Sequence, residues 1–198
     1  IGDRGGEAMS LKMIGVVKFY QGKAQEIFPY WEKELSIHRE LGNKRFEGHT
    51  LNNIGNIYQN LADYQKALIY FEDALKIFRI VGDRISEGRA LNNLGGVENN
   101  LSNYSKALEC FEQSLEIKKE IGDKRGTGFI INAIGVVYHD KGDTDKALEY
   151  YNHSLNIGEE IDDKLRIAGS INNIGHIYFT KGDYEKALAY FERARKKF

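Results

Sequence analysis

Apolar side chains along this chain return every three or four residues with polar ones between them, the pattern of helices that bury one stripe. Residues 51–58, LNNIGNIY, show it most clearly. At about 100° per residue, Leu51, Ile54, Gly55, Ile57, Tyr58 and Leu61 share one side of a helix. His49, Asn52, Asn53, Asn56, Gln59 and Asn60 share the other. The octad returns as LNNLGGVE at 91–98, INAIGVVY at 131–138 and INNIGHIY at 171–178, with a worn copy, LKMIGVVK, at 11–18. Its glycine stands at Gly15, Gly55, Gly95, Gly135 and Gly175, a constant spacing of 40 residues. A period of that length predicts an array of stacked units, which needs no single central core.

Within the unit spanning 42–81, Gly42-Asn43 predicts a helix stop followed by a helix start. A first helix is expected over about 45–60, a turn at Leu61-Ala62-Asp63, and a second helix over about 64–80. Equivalent junctions are Gly2-Asp3, Gly82-Asp83, Gly122-Asp123 and Asp162-Asp163. They divide the chain into a single array of repeats at 2–41, 42–81, 82–121, 122–161 and 162–198, the first worn and the last truncated. In the second helices, small residues recur at Ala67, Ala107, Ala147 and Ala187 and at Ala74, Ser114, Ser154 and Ala194. Large rings recur at Trp31, Phe71, Phe111, Tyr151 and Phe191. Small and large positions facing one another let helices interlock. Nothing reads as a strand, so the expected class is all-α. Pro29 falls inside the second helix of the first repeat, which must start late or kink there.

Leu51, Ile54, Gly55, Tyr58, Ala67, Phe71 and Ala74 stand at the spacing of the tetratricopeptide repeat signature, and the chain resembles that family. Its long repeats with a Gly-Asp junction look like those of spindle-orientation adaptors and of bacterial signalling arrays. The resemblance implies a right-handed superhelical solenoid of antiparallel helix pairs, with the first helices lining a concave groove. Lys18 and Glu98 depart from the signature, taking the place of its tyrosine.

The resemblance places the polar face of each first helix in that groove. Candidate peptide-binding residues are then Asn52, Asn53, Asn56, Arg89, Asn92, Asn93, Asn132, His139, Asn172, Asn173 and His176, with apolar neighbours such as Met9, Met13, Phe129 and Phe179. Asn52, Asn92, Asn132 and Asn172 form one ladder, and Asn53, Asn93 and Asn173 a second, broken one. A carboxamide both donates and accepts hydrogen bonds, as a peptide group does, so such a ladder suits an extended peptide. Two asparagines cost a helix roughly 1 kcal/mol relative to alanine, a penalty that packing alone does not require. The competing reading is that they bond to one another, to neighbouring helices or to water. Gly55 is different: on the packed side, any side chain would hold helices apart.

Composition narrows the partners. A net charge of -1 argues against a dedicated nucleic-acid or anionic-membrane surface. No apolar run is long enough to span a bilayer, and no signal peptide stands at the start. A single cysteine, Cys110, excludes an internal disulfide and fits a reducing, cytoplasmic setting. The absence of an initiator methionine and a last residue inside a helical pattern read as a piece of a longer protein. The segment Ile121-Gly-Asp-Lys-Arg-Gly-Thr-Gly128 lacks the spacing of a phosphate loop and reads as a turn between repeats. His139, Asp140 and His176 belong to adjacent repeats but fall short of a metal ligand set. No catalytic constellation, metal site or cofactor fingerprint stands out, so the chain is expected not to be an enzyme. The groove holds only Lys12 and Arg89 as cations, too few to clamp a chaperone tail. The alternative to a peptide-binding scaffold is a spacer, or a self-associating array that uses the uncovered Leu188 and Phe191 of its last helix.

Overall fold

The computed structural model describes residues 3–196. Among them are ten α-helices and no strand: α1 (Arg4–Tyr20), α2 (Phe28–Glu40), α3 (Lys44–Asn60), α4 (Tyr64–Val81), α5 (Arg84–Asn100), α6 (Tyr104–Glu120), α7 (Lys124–Asp140), α8 (Thr144–Glu160), α9 (Lys164–Thr180) and α10 (Tyr184–Arg195). They form two compact units, residues 3–97 and 98–196. In the first, α1 packs antiparallel to α2 and α3 to α4, and α2 also packs on α3. In the second, α7 pairs with α8 and α9 with α10, with further packing of α6 on α7 and α8 on α9.

The junction residues explain the punctuation. Asp3, Asp63, Asp83, Asp123, Asp143, Asp163 and Asp183 each accept a hydrogen bond from the backbone N–H three residues on, at 2.7–3.3 Å. Asn43 and Asn103 make no such cap, and Asn103 instead donates to Glu98 Oε2 at 2.7 Å. Gly2 lies outside the described residues. Pro29 sits in the first turn of α2, where no intrahelical N–H is lost, and a short 3-10 turn at Ala24–Glu26 precedes it. The second helix of the first repeat therefore starts late, one of the two outcomes its sequence allows.

Ala62 and Ser102 occupy the left-handed region, with φ of 57° and 60°, where the later repeats carry Gly142 and Gly182. That conformation strains a residue with a Cβ by about 1–2 kcal/mol. Glycine's larger entropy in the unfolded chain offsets about half of the relief. Ala62→Gly and Ser102→Gly are each expected to stabilise the protein by about 0.5–1 kcal/mol, read as a higher urea midpoint. An unchanged or lower midpoint contradicts the strain.

The repeated glycine is a seat for a ring. A Cβ on Gly15 would lie 2.0 Å from Trp31 Nε1, on Gly55 2.7 Å from Phe71, on Gly135 2.7 Å from Tyr151 and on Gly175 2.9 Å from Phe191. Each ring enters from the second helix of the same repeat. The departures at Lys18 and Glu98 also have a physical account. Tyr58, Tyr138 and Tyr178 stack on Tyr70, Tyr150 and Tyr190 at 5.3–5.5 Å and carry Lys66, Lys146 and Lys186 over their rings. In the first repeat the lysine contact becomes the ion pair Lys18–Glu26 at 2.6 Å, and in the third Glu98–Lys106 at 3.8 Å, with the charges exchanged.

Candidate binding face

Each first helix turns Leu51-type residues inward, which leaves its asparagines half-buried on the opposite side. In the first unit, Asn52, Asn53 and Asn56 project from α3, and Asn92, Asn93 and the exposed Arg89 from α5. The carboxamide of Asn93 donates to Asn52 Oδ1 at 3.1 Å and to Asn56 Oδ1 at 3.3 Å. In the second unit Asn173 donates to Asn132 Oδ1 at 3.2 Å, and Ser170 Oγ lies 3.5 Å from the same oxygen. Asn172 and His176 are exposed. The hydrogen bonds thus run diagonally, from a residue of the second ladder to one of the first. That geometry depends on how adjacent helices cross and is not contained in the spacing.

The diagonal bonds use only half of each pair. Among the described residues, the NH2 groups of Asn52 and Asn132 and the Oδ1 atoms of Asn93 and Asn173 have no partner. Each linked pair therefore still offers one donor and one acceptor. Behind the Asn132–Asn173 pair runs a buried chain: Ser170 Oγ meets Ser154 Oγ at 3.0 Å, and Ser154 Oγ donates to the Gly128 carbonyl at 2.8 Å. The Ser154 position holds serine or alanine in the other later repeats (Ala74, Ser114, Ala194), so the sequence showed a small residue there but not this support.

Two histidines of adjacent repeats lie together in the second unit. His139 and His176 lie edge to face at 5.6 Å, and Asp140 Oδ1 stands 3.6 Å from His139 Nδ1. Asp140 is itself held, accepting from Asn99 at 2.7 Å on Oδ2 and from the Tyr104 hydroxyl at 3.1 Å on its carbonyl. Among the described residues no group of three or more His, Cys, Asp or Glu is placed to hold a metal ion, and no helix is long and apolar enough to cross a membrane. In the first unit His49 packs against Phe78 at 5.2 Å, and burial holds its imidazole below the usual histidine range. Leu61, placed on the packed side by the 100° rule, is 40% exposed because the helix has already ended.

Similar proteins share this architecture. RapI in its apo form superposes with a TM-score of 0.82 at 21% identity over 96% of this chain and 53% of that one. A Rap protein complexed with Competence and Sporulation Factor superposes with a TM-score of 0.81 at 17% identity, over 96% of this chain and 54% of the other. A signal transduction ATPase with numerous domains, with a tetratricopeptide repeat sensor, from Pyrococcus horikoshii gives 0.81 at 23% identity, over 98% and 30%. The chain thus spans about half the length of the Rap structures and under a third of the ATPase. At these identities the likeness is one of fold. No curated protein matches the chain in sequence. Models of the tetratricopeptide repeat match residues 7–80, 86–160 and 169–197. With the ring-seating glycines and paired helices, those matches over most of its length make this chain a member of the tetratricopeptide repeat family.

Proposed function

We propose that the chain holds an extended segment of a protein partner against the polar faces of its first helices. Asn52, Asn53, Asn56, Asn92 and Asn93 in one unit, and Asn132, Asn172 and Asn173 in the other, meet the segment's peptide groups. Arg89, His139 and His176 supply contacts to its side chains. The family fold is a scaffold for protein–protein interaction, and repeat scaffolds present extended surfaces to partners. The observation that supports the finer reading is the spare donor and acceptor on each linked asparagine pair, which matches the two hydrogen-bonding groups of a peptide unit. The Rap neighbour complexed with Competence and Sporulation Factor is a related fold holding a second molecule. The role is binding, not catalysis, and its setting is the cytoplasm.

A second reading has its own observation. Leu188 is 61% and Phe191 37% exposed on α10, whereas Tyr151, the ring equivalent to Phe191, is 3% exposed under α9. Self-association through α10 would cover them. One experiment separates the two. The 198-residue chain is screened against an array of degenerate decapeptides, and the best binders are titrated by fluorescence anisotropy. Asn93→Ala and Asn173→Ala are each expected to weaken binding roughly fivefold, the value of about one hydrogen bond, with melting unchanged. Unaltered affinity in both variants sinks the asparagine face. Light scattering on the same samples, showing a mass that grows with concentration and shrinks with Leu188→Lys, favours self-association.

A further inference from the structure

The second unit carries a charged cavity that the asparagine face does not use. It has a volume of about 380 Å³ and is lined by Asp123, Arg125, Gly126, Phe129, Asp163, Leu165 and Arg166, at the entries of α7 and α9. Its two carboxylates are already matched. Arg125 Nε lies 2.8 Å from Asp163 Oδ2, and Lys118 Nζ 2.9 Å from Asp123 Oδ2. Among the described residues Arg166 makes no salt bridge of its own. Its guanidinium lies over the Phe129 ring at 4.9 Å, its Nε is shielded from water without a hydrogen-bond partner, and Asp163, which Arg125 engages, favours its charge only from a distance. Burial also works against its charge. An unmet buried donor costs about 1–3 kcal/mol, more when charged, so this arrangement is maintained against a penalty.

The sequence builds the slot on purpose-shaped backbone. Gly158 occupies the position held by His38, Phe78 and Lys118 in earlier repeats. A Cβ there would come within 3.0 Å of Arg166 Cγ. A Cβ on Gly128 would meet Ile157 at 3.1 Å and Arg166 Cδ only at ordinary contact distance, 3.7 Å. Gly158 is thus the glycine that lets the arginine stem lie flat and deliver its head to Phe129. Both apolar members of the lining are open to solvent, Phe129 at 47% and Leu165 at 66%.

We propose that this cavity receives a carboxylate borne by an acidic residue of the partner segment, with a neighbouring apolar residue of that segment lying on Phe129 and Leu165. The proposal rests on the peptide-binding reading above and names the chemistry that reading leaves open. The lining holds two arginines and two aspartates, but Asp123 is paired with Lys118 from outside the cavity and Asp163 with Arg125, which leaves Arg166 as the wall cation without a salt-bridged anion. A monoanion supplies one, and the planar guanidinium suits the carboxylate fork. A dianionic phosphate would overshoot and face the two aspartates.

The test uses the decapeptide array and the full chain. Binders are expected to carry Asp or Glu beside Leu or Phe. For the best of them, Arg166→Gln should weaken binding about tenfold, as should replacing the peptide's acid by its amide, and the two losses should not add. Gly158→Leu, which displaces the arginine stem, should mimic Arg166→Gln. Should either variant unfold, the wild-type 15N resonance of Arg166 Nε decides: it shifts with the acidic peptide and stays still with the amide version. Peptides that bind regardless of Arg166 and of their own charge, or that bind better when phosphorylated, overturn the proposal. If affinity is lost in Asn93→Ala or Asn173→Ala but not in Arg166→Gln, the cavity fails and the asparagine face stands. If no peptide binds wild type, both fail.

Discussion

Gly55→Leu is expected to destabilise the protein by about 3 kcal/mol, although leucine is the better helix former by nearly 1 kcal/mol. The reason is the 2.7 Å separation between a Cβ at this position and the ring of Phe71, which is fully buried. Ile54, Ala67 and Ala74 of the same two helices are buried as well, so little open space is left for the ring to swing into. Phe71→Ala removes the ring instead and is expected to cost about 3–5 kcal/mol through lost burial and a cavity. Combined, the two changes should cost at least about 1 kcal/mol less than their sum, since the leucine enters the space the ring vacates. Urea unfolding of the four proteins, followed by circular dichroism, measures this. Additivity within about 0.5 kcal/mol would mean that glycine and ring do not share one volume.

The second large effect concerns Glu47, whose side chain is 7% exposed between α2 and α3. Arg39 Nε approaches it at 2.9 Å and Lys44 Nζ at 2.8 Å. Burial pushes this carboxyl up, and the hydrogen bonds from Lys44 and then Arg39 outweigh it, so the group ends below its usual range. Arg39→Met with Lys44→Met leaves the carboxylate buried and unpaired. A broken buried pair costs about 3–5 kcal/mol, and discounting for two cations that are more than half exposed gives about 2–3. Glu47→Ile should instead be nearly neutral or stabilising: Ile167 occupies this position in the fifth repeat at 2% exposure. Acid distinguishes the proteins further. The folded wild type binds fewer protons at Glu47 than the unfolded chain does. The contribution is therefore complete above about pH 4.3 and is lost as pH falls through the depressed value. In the double methionine variant burial acts alone, the folded carboxyl moves up, and the slope reverses between the unfolded and folded values. A pH series of melting temperatures reads both signs. Parallel curves for wild type and the double variant would show that the two cations do not hold Glu47.

The sequence by itself determined the helices, their pairing and their ends. Those features depend on contacts between residues three, four or forty positions apart, and the chain repeats them. Gly55 and Phe71 announce each other because every copy carries the same two types. Asp163 announces a cap because its partner is three residues away. Even the worn first repeat was partly legible: Pro29 called for a late start or a kink, and α2 starts late. Which asparagine faces which was not legible, because Asn93 reaches Asn52 and Asn56 through the crossing of two helices rather than through periodicity. The slot for Arg166 was hidden for the same reason. Gly158 looks like an ordinary interruption in a helix until packing lays the Arg166 stem against it. Polar side chains meet where helix register brings their tips within about 3 Å, and a shift of one residue rotates a helical position by about 100°. Local pattern fixes the frame to within such a shift, and only the packed structure decides which tips touch and which are left open to a partner.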